Sequence, residues 1–75
     1  MFKSVTFEVA GEQRLNCEKC EQRVMRLLGD LHGARQVRAQ ALNQRIDVLF
    51  DTALLDESVI AACLREAGYD THVVD

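Results

Sequence analysis

The chain has 75 residues, 48% of them hydrophobic and 28% charged, with a net charge of −3 at pH 7. That balance excludes a disordered chain, and the lack of a basic stripe argues against nucleic acid as a partner. The length suits a single domain over residues 1–75 with a thin core, and no apolar run nears the ~20 residues that cross a bilayer, so no membrane insertion is expected.

Val5, Phe7 and Val9 alternate with Ser4, Thr6 and Glu8, which predicts a half-buried first strand. Gly11 breaks it, and Glu12-Gln13-Arg14-Leu15 leads into Cys17-Glu18-Lys19-Cys20. Asn16 stands where a cap for the first helix is expected, which puts Glu18 in the first turn, where negative charge is favourable. Cys20, Val24, Leu27, Leu28 and Leu31 share one stripe of a helix over Cys20–Leu31, with Glu21, Arg23, Arg26 and Asp30 elsewhere. His32-Gly33 closes that helix. Val37, Ala39 and Ala41 mark a second strand, Leu42-Asn43-Gln44 a turn, and Ile46, Val48 and Phe50 a third strand of the same hairpin. Asp56 is the expected cap of a second helix with Val59, Ile60, Cys63, Leu64 and Ala67 on its apolar side. Gly68 ends it, and Tyr69 to Val74 forms a short fourth strand. The fold class is therefore α+β: a ferredoxin-like βαββαβ chain, its four-stranded antiparallel sheet carrying two helices on one face.

Cys17 and Cys20, three residues apart at a helix start, can aim both sulfurs at one point. The helix N-terminus supplies free N–H groups and partial positive charge, which favour the thiolate. A thiolate pair is a soft ligand set, suited to Cu(I), Zn(II) or another thiophilic ion. Three cysteines do not make a paired disulfide framework, and Met1-Phe2-Lys3-Ser4 leads into a strand without the apolar core of a signal peptide. A cytoplasmic setting with reduced thiols is expected. Cys63 reads as a small packing residue, and Met25 likewise. His32 and His72 have no partner at ligand spacing and stay outside the site.

With these elements in register, the chain resembles the heavy-metal-associated domain family of soluble copper chaperones and of the metal-binding domains of heavy-metal P-type ATPases. The resemblance rests on the Cys-x-x-Cys after the first strand, on Val24, Leu28, Leu31 and Gly33, on Phe50-Asp51, and on Ile60, Leu64 and Ala67-Gly68-Tyr69-Asp70. The chain resembles a soluble bacterial copper chaperone of that family, which implies that Cys17 and Cys20 are the metal ligands, with Leu15, Asn16 and Tyr69 around them. The resemblance implies that Tyr69 shields or tunes the site; the alternative is an amphipathic ring closing the core edge, and the two are compatible. Leu15 stands where the family usually has Met, Gly11 lies six residues before Cys17 where the family's loop glycine lies three before, and charged Glu18 and Lys19 replace small residues.

The function expected is that of a non-enzymatic carrier passing Cu(I) by thiolate exchange to a heavy-metal P-type ATPase or another acceptor with a Cys pair. Zn(II) and Hg(II) are the other cargoes considered. The metal-free chain is expected to be a monomer; with metal, two chains sharing it through four cysteines would form a bridged dimer. Two other readings compete. One is a thiol-disulfide oxidoreductase with Cys17 as nucleophile and Cys20 as resolving thiol, which lacks the cis-proline of thioredoxin-like enzymes because the chain has no proline. The other is a regulatory metal-binding domain for Zn(II) or Hg(II) detached from a larger protein, against which a free-standing chain from Met1 to Asp75 is the simpler expectation.

Overall fold

A computed structural model describes residues 1–74. The elements run β1 (Phe2–Ala10), α1 (Glu18–Gly29), β2 (Ala34–Gln40), β3 (Arg45–Asp51), α2 (Glu57–Glu66) and β4 (Asp70–Val73). The strands form one antiparallel sheet in the order β2-β3-β1-β4. Each β–α–β unit thus joins two strands and leaves a gap between them. β3 fills the gap between β1 and β2, and β1 fills the one between β3 and β4.

Register and burial follow from the period-two pattern. Val5 faces Val48 and Phe7 faces Ile46 across β1–β3, which puts the buried residues of both strands on one sheet face. Val24 and Leu28 of α1 and Ile60 and Leu64 of α2 cover that face, and all four are fully buried. No polar side chain is buried among the described residues, so burial of apolar surface holds the two layers together. α2 begins as expected: Asp56 Oδ1 accepts a hydrogen bond from the Val59 N–H at 3.0 Å.

Some boundaries differ from the sequence reading. α1 ends at Gly29 with Asp30 as its cap, so Leu31 lies in the following turn and still packs on the core. β2 starts earlier, at Ala34, because a register shift between Ala34 and Gln36 lets the chain pair with β3 before the alternation becomes regular. Val59 is exposed rather than on the apolar side of α2, since Ile60 and Leu64 already fill the contact with the sheet. Gly33 has φ +102° directly after the turn that ends α1, and an added Cβ would stand 2.8 Å from the Leu54 Cβ, so both backbone and space call for glycine.

The ends of β1 and α2, the start of α1 and the β2–β3 hairpin meet at one edge of the molecule. No helix among the described residues is long and apolar enough to cross a membrane.

Candidate metal centre

Cys17 is the N-cap of α1, with extended backbone (φ −160°, ψ 178°), and Cys20 lies in the first turn. The Cys17 carbonyl accepts from the N–H groups of Cys20 and Glu21 at 3.1 and 3.2 Å, which closes that turn and brings the two side chains together. Their sulfurs lie 4.0 Å apart and both thiols are free. Cys17 is exposed; Cys20 is half-buried and packs against the core.

Asn16 does not cap the helix. Cys17 takes the cap position, and no side chain makes a capping bond there. Asn16 is solvent-exposed. Its backbone N–H is the foremost influence holding the Cys20 thiol below its usual pKa; partial burial opposes it, and hydrogen bonds from Cys17 and from the Tyr69 hydroxyl add to it.

Tyr69 is 2% exposed, so its ring closes the edge of the core. Its backbone N–H donates to the Leu64 carbonyl at 2.9 Å, wrapping the chain tightly around the end of α2. Gly68, at φ +99°, makes that turn, and an added Cβ there would stand 2.6 Å from the Gln13 side-chain oxygen. The loop before Cys17 therefore lies directly against the loop after α2.

Leu15 is 2% exposed and is the one buried side chain between Gly11 and Cys17. It packs into the hydrophobic core. The sequence reading missed what holds its backbone. Gln44 Oε1 accepts from the Leu15 N–H at 2.8 Å, and Gln44 Nε2 donates to the Leu15 carbonyl at 2.7 Å and to the Ala41 carbonyl at 2.7 Å. Glu21 Oε2 accepts from the Ala41 N–H at 2.6 Å, so α1 also grips the hairpin. Gln44 read as an ordinary turn residue; only its partners across 29 positions of sequence mark it out.

Cys63 lies on α2, half-buried against the core, beside a shallow cleft with Arg23, Leu27, Glu66 and Ala67. Burial, with the Glu66 charge, pushes its thiol pKa up, as expected of a packing residue. His32 and His72 are exposed, and His72 Nε2 lies 3.2 Å from Glu8. Among the described residues no three His, Cys, Asp or Glu side chains gather into a metal-holding group. The edge thus offers two close sulfurs, one open to solvent, with hydrogen-bond donors on the other. Such a pair can hold a thiophilic ion while leaving its remaining coordination positions free.

The profile of the heavy-metal-associated domain matches residues 5–70. The copper chaperone CopZ of Enterococcus hirae is 28% identical over 68 residues, covering 91% of this chain and 94% of that protein. The copper-binding domain from HMA7, a P-type ATPase, is 25% identical, with a TM-score of 0.85 over 96% of this chain and 93% of its own. Oxidized MerP from Ralstonia metallidurans CH34 shares the fold over the full length of both chains, with a TM-score of 0.87 at 23% identity.

Proposed function

We propose that this chain, which belongs to the heavy-metal-associated domain family, is a non-enzymatic cytoplasmic carrier that binds Cu(I) through Cys17 and Cys20. It passes the ion to a heavy-metal P-type ATPase or a similar acceptor with a Cys pair. The observation that carries this reading is the pair of free sulfurs 4.0 Å apart at the start of α1, with no third ligand gathered among the described residues. The likeness to a copper chaperone and to the copper-binding domain of a P-type ATPase supports copper as cargo and an ATPase as acceptor.

Transfer is ligand exchange with no change of oxidation state. A thiolate of the acceptor enters a free position on Cu(I), a shared intermediate forms, and the carrier's sulfurs leave one after the other. Each acceptor thiol gives up its proton as it binds, and each carrier thiol is free to take one back as it departs. Exposed Cys17 is suited to be the sulfur an acceptor reaches first, and half-buried Cys20 the one it reaches second. Leu15 supports the loop from below.

The test is anaerobic titration of the reduced protein with Cu(I) against a competing chelator, with Zn(II) and Hg(II) in parallel. The expected result is tight one-to-one Cu(I) binding, lost in Cys17→Ser, in Cys20→Ser and in the double variant, with each variant still folded. Cys63→Ala keeps the affinity. Tight binding that persists in the double variant would overturn the assignment, and a preference for Zn(II) or Hg(II) would replace the cargo. Sedimentation of the metal-free and loaded protein reads the oligomeric state, with a monomer expected without metal.

A further inference from the structure

The loop from Gly11 to Asn16 is long, exposed and anchored by one side chain, Leu15. A loop of that kind does not aim a backbone group unless something fixes its peptide planes. Gln44 does so at one point. Its amide makes two opposed hydrogen bonds to the Leu15 backbone, at 2.8 Å to the N–H and 2.7 Å from Nε2 to the carbonyl. The second Nε2 hydrogen goes to the Ala41 carbonyl, so each amide hydrogen has a partner, and a flipped amide would set its oxygen against two carbonyl oxygens.

The Leu15 carbonyl and the Asn16 N–H belong to one planar peptide group and point in opposite directions. Gln44 holds the carbonyl end; the N–H end belongs to Asn16, the residue that leads directly into Cys17. Fixing one end of the plane therefore fixes the aim of the other. Gln44 is itself held: its carbonyl accepts from the Val9 N–H at 2.8 Å, and its backbone sits at φ +57°, a conformation uncommon for non-glycine residues.

We propose that Gln44 is a positioning residue for the metal site, acting through the Leu15–Asn16 peptide plane to fix how the chain enters Cys17 and so where the first turn of α1 presents its two sulfurs. The hairpin thereby sets how firmly the site holds its cargo, although no hairpin atom is a ligand. The cargo clause rests on the carrier reading above; the aiming of the peptide does not.

Two variants separate the side chain from the backbone strain. Gln44→Met keeps the length and the strained φ but loses all three amide bonds; Gln44→Gly also loses them but relieves the strain. In the metal-free reduced protein, amide exchange at Leu15 and Asn16 speeds up at least about tenfold in both variants, while exchange in β1 and β3 holds. The Asn16 amide proton resonance moves away from its wild-type position in both. Cu(I) affinity falls about ten- to a hundredfold in both, as is usual when a residue orienting a ligand is removed. Unchanged Asn16 resonance overturns the proposal, as does a loosened Leu15 with unchanged Cu(I) affinity, which would leave Gln44 a purely structural brace. Should wild-type Cu(I) binding prove independent of Cys17 and Cys20, the carrier reading fails, and the metal-free Asn16 signal alone decides the claim about Gln44.

Discussion

At the scale of single residues, the site is shaped by what surrounds two sulfurs rather than by further ligands. The Cys20 thiol is held below its ordinary pKa by the Asn16 N–H first and by the Cys17 and Tyr69 hydrogen bonds after it, while burial pushes Cys63 the other way. Cys20 thus loses its proton at a lower pH in the folded chain than in the unfolded one. Its contribution to stability is complete above the ordinary thiol value and disappears as pH falls through the folded one; for Cys63 the contribution is present below the ordinary value and disappears as pH rises through the folded one. Timed alkylation across rising pH should therefore label Cys20 ahead of Cys63, read by mass spectrometry of the peptides. Tyr69→Phe keeps the buried ring and removes one donor to Cys20. We expect its thiol to titrate higher and Cu(I) affinity to fall by less than about tenfold, with the loss growing toward acid pH as protons compete for the sulfur. An affinity equal to wild type at every pH would show that the hydroxyl contributes nothing to binding.

At the scale of elements, helix ends do the positioning. α1 begins on Cys17 without a side-chain cap, so the first turn presents its N–H groups and its positive end to the sulfurs instead of satisfying them with Asn16. α2 begins on a proper cap, Asp56, far along the chain from Cys17 and Cys20. Asp56→Ala should cost about 1 kcal/mol of stability, visible as a lower urea midpoint, and leave Cu(I) affinity at the wild-type value. The turn after α2 is more demanding, because Gly68 combines φ +99° with the Gln13 side chain lying over it. Gly68→Ala should destabilise the fold by about 1–2 kcal/mol from the left-handed backbone alone and displace Gln13 as well. That second effect should be seen as altered amide resonances in the loop before Cys17.

At the scale of the whole molecule, one apolar layer between two helices and a four-stranded sheet supports an edge where three loops meet. A chain of this size has little stability to spare, so the core and the cargo are linked through the folding equilibrium. Leu28→Ala, at a fully buried position that touches no site residue in sequence, should cost about 2–5 kcal/mol. Saturating Cu(I) should return part of that loss, about 2.7 kcal/mol at a free concentration one hundred times Kd, and should return none in the Cys17→Ser, Cys20→Ser background. Thermal melts of the four combinations measure both effects.

The order of elements, the core faces of β1 and β3 and the Asp56 cap were all legible in the amino-acid pattern, because period-two alternation, helical stripes and cap chemistry are local and each residue carries its own share of them. Cys17 and Cys20 stood out for the same reason: three positions at a helix start bring two side chains together without help from elsewhere. The sequence alone thus determined the ferredoxin-like architecture and the candidate sulfur pair. It misplaced the α1 cap at Asn16, since Asn and Cys compete for adjacent positions and only the closed turn on the Cys17 carbonyl decides between them. It was silent on Gln44, whose partners at Leu15 lie on a different element and depend on how the hairpin folds over the loop. Tertiary structure decided those contacts, and with them the setting of the Leu15–Asn16 peptide plane before Cys17, because hydrogen bonds between distant segments are set by where the packed core places the backbone.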